Sequence, residues 1–184
     1  KIPEDGNYSN LYNFILAVDT SRSDRIINSL GKWLDINNYI KYHALTSLIN
    51  NPDAFKNNFF IFKESVRSPF KCVPWDFDQS FRREVDVGLF GKNAIINRLF
   101  ENDSTLNMYK SELINLLNTI FTVQNVDSVI NKNRDIIEEA YNIDPYLGNG
   151  RYNLEAEIQS LKEYIANRRQ YFLDNIDSLT PNSQ

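Results

Sequence analysis

Apolar residues recur at helical spacing along almost the whole chain, and the pattern fails between residues 58 and 75. There, residues 58–64 read NFFIFKE and residues 70–75 read FKCVPW, around Ser65, Val66, Arg67, Ser68 and Pro69. Dense aromatic and β-branched residues flanking a polar, proline-containing break predict a β-hairpin. It is the one convincing strand pair, so the expected class is α+β, mostly α-helical, with one inserted hairpin.

The helical segments carry their own signals. Residues 10–18 set Leu11, Phe14, Ile15 and Val18 on one face, the i, i+3, i+4, i+7 pattern. Ser21 is placed to cap a short helix, with Asp24 three residues on, Ile26, Ile27 and Leu30 behind it, and Gly31 to stop it. Asp35 is the expected cap of the next helix, whose stripe is Ile36, Tyr39, Ile40, Ala44, Leu48 and Ile49. His43 falls beside that stripe and reads as a hydrogen-bonded, half-buried histidine. This helix ends at Asn50, Asn51 and Pro52, since a residue before proline is pushed out of the helical region. After Gly88 and Gly91 helices are expected over residues 94–100, 105–121 and 127–141. Past Gly148 and Gly150 a final helix runs from Asn153 to about Ile176, and residues 180–184 are expected to fray. Residues 1–184 read as a single domain and as a piece of a longer chain, because the first residue is Lys1 and no basic and apolar leader precedes the first helix.

Composition excludes several functions. A pI near 5.1 argues against a broad nucleic-acid surface, which needs clustered positive charge. Cys72 is the only cysteine and His43 the only histidine, which excludes an internal disulfide, a Cys-rich zinc site and His-pair metal motifs. Cys72 sits mid-strand and reads as a small buried apolar residue. No apolar run reaches the roughly 20 residues that cross a bilayer. The asparagines, 25 of them, read as polar surface filler before they read as chemistry.

Chemistry concentrates around the hairpin mouth. A turn centred on Arg67 makes paired positions sum to about 134 and sets Asn58 opposite Asp76, roughly 4.5–5.5 Å apart at Cα. An amide oxygen then meets a carboxylate, with Asp53 in the loop just before. Asp76 and Asp78 lie two apart, so an extended backbone would point both the same way. Hard oxygen donors of this kind suit Mg²⁺ or Mn²⁺ that keeps water and phosphate oxygens as its other ligands. Trp75 and Phe77 read as core anchors of the hairpin, and Arg168 or Arg169 as the partner of an acidic neighbour.

The order Asp-x₄-Asn, strand, turn, strand, Asp-Phe is similar to the catalytic core of protein kinases, where an Asp orients the acceptor hydroxyl and an Asn and a second Asp hold metal. The chain also resembles the kinase-like domains of the spore-coat protein H (CotH) family. The likeness runs through LDINNYIKYHALTSLINNPDAFKNNFFIFKE, KCVPWDFDQSF and EAEIQSLKEYIANRRQYFLDNI. The resemblance implies the C-terminal lobe of an atypical protein kinase that transfers phosphate from ATP to Ser or Thr of a protein. By it, Asp53 is the catalytic aspartate, Asn58 and Asp76 are metal ligands, and Asp78 is an auxiliary ligand or stands just behind the ligands. Contacts with an upstream N-terminal lobe that binds the nucleotide, and a place on the spore coat or cell surface, follow by the same resemblance. One departure is that the family's glycine after WDxD is replaced: Phe81 is followed by Arg82 and Arg83, which either crowd the nucleotide site or clamp a phosphate. Two other classes stay open: a catalytically degenerate scaffold of the same fold, and a sugar hydrolase using Asp53 with Asp76 or Asp78, which needs carboxyls roughly 5–10 Å apart.

Overall fold

The computed structural model describes residues 7–81, 84–147 and 153–181. Its helices are α1 (Ser9–Thr20), α2 (Ile26–Leu30), α3 (Ile36–Leu48), α4 (Ala94–Leu99), α5 (Asp103–Asn118), α6 (Val123–Ile143) and α7 (Leu154–Asn175). Between α3 and α4 the strands β1 (Phe59–Phe62) and β2 (Lys71–Pro74) pair antiparallel as the only sheet among the described residues. The class is α+β and mostly helical, as the apolar spacing requires.

Helix α3 is the centre of the molecule. Asp35 caps it by accepting from the Asn38 N–H at 3.0 Å. Ile36, Tyr39, Ile40, Tyr42, Ala44 and Leu48 are buried along it, and it packs against α5, α7 and β2. His43 is 0% exposed rather than half-buried, because α5 and the segment before α4 close over a side of α3 that one-helix periodicity leaves open. A single connected core runs from Phe14 on α1 to Leu179 after α7. Helix α6 has no buried residue and lies on the first half of α7, joined to it by Arg134–Glu155 at 2.5 Å and Lys162–Asn131 at 2.9 Å.

Ser21 does not cap a helix. It is buried, the chain passes through a 3₁₀ turn (Ser23–Arg25) before α2, and the Ser21 carbonyl accepts from Arg98. Gly31 follows α2 in ordinary right-handed geometry, and a Cβ there would lie 2.2 Å from the Ile27 carbonyl oxygen. It is needed for close approach and not for turning.

The hairpin hangs from the start of α3. Phe70 N–H donates to Trp33 O at 2.7 Å, Asp35 N–H donates to Phe70 O at 2.8 Å, and Cys72 N–H donates to Asn38 Oδ1 at 2.7 Å. Cys72 is buried, and that burial pushes its thiol up to about 12, so it stays a protonated, apolar side chain. The strands are shorter than their aromatic runs. Their outward positions carry Phe60, Phe62 and Val73, each exposed. Trp75 is 59% exposed and lies edge-on to Phe60, with ring centroids 5.5 Å apart. It is not a core anchor, since alternation along β2 turns it to the outer face. Phe77 does face the core, 6.5 Å from the Tyr42 ring.

Candidate site at the hairpin mouth

Helix α3 ends by turning left-handed at Asn50, φ 53°, which releases the chain into the loop that carries Asp53. Two asparagines then fix that loop. Asn51 is fully buried; its Oδ1 accepts from the N–H of Asp53 at 3.1 Å and of Ala54 at 3.2 Å, and its Nδ2 donates to Ser80 Oγ at 3.3 Å. Asn50 Nδ2 donates to Glu84 O at 3.0 Å and to Tyr164 Oη at 2.8 Å. Further on, Asp53 O accepts from the N–H groups of Lys56, Asn57 and Asn58. Tyr42 Oη donates to Ala54 O at 2.5 Å and Asn93 Nδ2 donates to Phe55 O at 2.9 Å. The backbone around Asp53 is therefore held from several sides, while its half-buried carboxylate has no hydrogen-bond or ion-pair partner among the described residues.

The register of the hairpin differs from expectation by one residue. Phe59 pairs with Pro74 and Ile61 with Cys72, so paired positions sum to 133. The cause is the turn: Ser68 N–H donates to Ser65 O at 3.2 Å, which puts the centre between Val66 and Arg67 and not on Arg67. Asn58 consequently stands opposite Trp75, whose N–H donates to Asn58 O at 3.3 Å. Asn58 and Asp76 still meet, by another route. Asp76 turns left-handed at φ 53°, and its carbonyl oxygen accepts from Asn58 Nδ2 at 3.3 Å.

That turn also breaks the extended relation between Asp76 and Asp78. Phe77 O accepts from Ser80 N–H at 3.2 Å and from Ser80 Oγ at 2.8 Å, so Asp78 sits on a tight reversal. Its carboxylate accepts from Gln79 Nε2 at 2.7 Å. Phe81 follows at φ 62°, donating its N–H to Ile49 O at 2.8 Å, with its ring 6.2 Å from Tyr164. Each left-handed non-glycine residue costs about 1–2 kcal/mol. Asn50, Asp76 and Phe81 are the three such residues among those described. All belong to the two loops that meet here, and backbone strain of this kind collects at functional sites. The Arg82 and Arg83 positions lie outside the described residues.

Asp53, Asn58 and Asp76 thus lie on two loops that are directly bonded to each other, and Asp78 lies on the adjoining reversal. The Asp76 carboxylate is exposed and has no partner among the described residues. An unpaired carboxylate beside an amide suits a hard cation that keeps most of its waters. Among the described residues no three Asp, Glu, His or Cys side chains group closely enough to hold a metal by themselves, so the Asn58 oxygen and ligand or water oxygens would have to complete the shell.

Asn93 is the supporting residue that spacing did not pick out, although an Asn just before the helical run at 94 is an N-cap signal. Its Oδ1 caps α4 at Ile95 and Ile96 and also accepts from the buried Tyr39 Oη at 2.8 Å. Asn93→Ala is expected to destabilise the protein by about 2–3 kcal/mol, since a cap is worth about 1 kcal/mol and the Phe55 carbonyl it leaves unpaired about 1–3 kcal/mol, while the Tyr39 hydroxyl keeps His43 Nδ1 at 3.4 Å. A denaturant titration measures it; a loss below about 0.5 kcal/mol would show that water replaces both bonds.

Neither Arg168 nor Arg169 forms an ion pair with an acid among the described residues. Arg168 donates to the carbonyls of Ser47 at 2.8 Å, Val85 at 2.5 Å and Gly88 at 2.8 Å, with the Phe172 ring 4.5 Å from its guanidinium carbon. Arg169 donates to Leu117 O at 3.1 Å. Both arginines reach inward from α7, where the acceptors are last-turn carbonyls of α3 and α5, at Ser47 and Leu117, and the loop carbonyls of Val85 and Gly88.

The chain is 25% identical to the inner spore coat protein H of Bacillus subtilis (strain 168), over 96% of its own length and 50% of that protein's. It therefore spans about half the length of that relative. A family model described as CotH kinase protein matches residues 1–172, which takes in α1 to α6, the hairpin mouth and most of α7, and the chain belongs to that family.

Proposed function

We propose that this chain is the acceptor- and metal-binding half of an atypical protein kinase, which transfers the γ-phosphoryl group of ATP to Ser or Thr of a protein. The observation that carries the reading is the Asn58–Asp76 bond at the hairpin mouth, which ties both candidate metal ligands together beside the pinned Asp53 loop. In this reading the acceptor hydroxyl lies on Asp53. Its oxygen bonds to the γ-phosphorus as the bond to the ADP oxygen breaks, and its proton passes to the Asp53 carboxylate. Asn58 and Asp76 would hold Mg²⁺ or Mn²⁺, which neutralises charge on the phosphate oxygens when bound. Asp78, already bonded to Gln79, would act in the outer shell. The exposed face of Phe60, Phe62, Val73 and Trp75 supports a second lobe, since contiguous exposed apolar surface marks a contact site. A catalytically silent scaffold of the same fold is the second reading, which the test below separates from the first.

The test uses the full-length protein, ATP labelled at the γ-phosphate, Mg²⁺ or Mn²⁺, and Ser-rich protein as acceptor. Asp53→Ala and Asp76→Ala are each expected to lower transfer at least a hundredfold, about 2.7 kcal/mol of transition-state stabilisation. Transfer untouched by Asp76→Ala would remove the metal assignment. Absence of transfer together with absence of Mn²⁺ and ATP binding in calorimetry would establish the scaffold reading.

A further inference from the structure

Next to the Asp53 loop is a pocket of about 250 Å³ that the transfer reading does not use. Its walls come from the end of α3, from residues 50–56 and from residues 87–92, with Arg168 reaching it from α7. Lys56, Lys92 and Arg168 border it and no carboxylate does. Arg168 is 1% exposed, its acceptors are carbonyls, and its Nε–H is buried without a partner among the described residues. Lys56 and Lys92 are exposed, and neither ammonium has a hydrogen bond or ion pair among those residues.

Carbonyl oxygens satisfy a guanidinium's N–H groups but carry no full charge, and Asp86 acts on Arg168 through space without forming an ion pair, so the buried charge is only partly balanced. A purely structural Arg168 would account for its own bonds to Ser47, Val85 and Gly88. It would not account for two unpartnered lysines on the same pocket. We propose that this pocket binds a phosphate group, carried on a polypeptide as phosphoserine or phosphothreonine or free in solution. A phosphate monoester brings a charge of about −1.5 to −2 and three acceptor oxygens at neutral pH, which matches three cations better than a carboxylate with one charge and two oxygens. Pro52 and Lys56 flank Asp53 in sequence and both line the pocket, so a phosphorylated segment seated there runs beside that carboxylate. The site stands on its own cations and does not require Asp53 to be catalytic.

The experiment measures binding, so failure of phosphoryl transfer leaves this proposal standing, and its own failure leaves the transfer reading standing. Full-length protein is titrated into a fluorescent Gly/Ser peptide bearing one phosphoserine, and into the same peptide unphosphorylated, with anisotropy as readout. The phosphopeptide is expected to bind at least tenfold tighter, inorganic phosphate to compete, and the double variant Lys56→Gln/Lys92→Gln to lose at least tenfold in affinity. Because both lysines are exposed and unpaired, that variant is expected to keep the parent's melting temperature in phosphate-free buffer. A melting temperature that rises with inorganic phosphate in the parent and not in the variant, without a phosphopeptide preference, supports the site and assigns it to the free anion. Equal binding of both peptides with no phosphate-dependent shift, or effects equal in parent and variant, would overturn it.

Discussion

Arg168→Ala is expected to lower the unfolding free energy by about 3–4 kcal/mol, enough to shift the melting temperature by roughly 10 °C in a domain of this size. The three carbonyls it serves join two distant segments, Ser47 at the end of α3 and Val85 with Gly88 in the loop before α4. Losing the guanidinium leaves the Val85 and Gly88 oxygens unsatisfied and the buried Ser47 oxygen with the Asn50 N–H at 3.3 Å, and an unsatisfied buried oxygen is worth about 1–3 kcal/mol. Relief of the buried charge returns part of that, which keeps the figure below the sum. Lysine is not a conservative replacement, because one ammonium cannot reproduce a planar fork that serves three acceptors. Arg168→Lys is expected to recover less than half of the loss. Chemical denaturation of the three proteins decides it, and an alanine variant within 1 kcal/mol of the parent would mean that water takes over the carbonyls.

Acidification acts through His43. Burial lowers its pKa from 6.5 to about 3, opposed by the Nε2–H bond to Gly91 O at 2.8 Å. The unfolded chain therefore takes up a proton below pH 6.5 while the folded chain stays neutral down to about 3. The stability held by neutral His43 is complete above pH 6.5 and is lost as pH falls toward 3, at about 1.4 kcal/mol per pH unit. By pH 5 the loss is about 2 kcal/mol. His43→Gln keeps a donor for Gly91 and cannot titrate, so the gap in stability between parent and variant should narrow by that amount between pH 7 and pH 5. Parallel pH profiles would show that His43 is protonated in the fold at no great expense. The Phe55 ring lies 4.8 Å from the imidazole, so the first part to loosen in acid should be the loop behind Asp53.

Local chemistry was readable where a single segment decides it. The Asp35 cap, the end of α3 before Pro52 and the aromatic runs of the hairpin follow from neighbours a few residues apart. The register did not follow, because a shift of half a residue in the turn centre moves every cross-strand pair by one. Asp76 was legible as a candidate but not as a left-handed residue, since the bond that holds it there comes from Asn58 across the mouth. The asparagines misled in the same way. As surface filler they carry no signal, yet Asn51, Asn93 and Asn102 each join segments far apart in the chain. Trp75 reads as a core anchor of the hairpin, and the strand's alternation places it outside.

The ties made by Arg168 set an order on how the molecule is completed. A ribosome delivers α3, the Asp53 loop and the hairpin well before residue 168, and a domain folds as a unit only once its chain is complete. Until α7 arrives, the Ser47, Val85 and Gly88 carbonyls have no cation to gather them, and Asn50 lacks the Tyr164 hydroxyl. A nascent or truncated chain would therefore carry every candidate site residue with its two loops bonded to each other but not yet tied to the segment at Val85 and Gly88, which the last helix fastens.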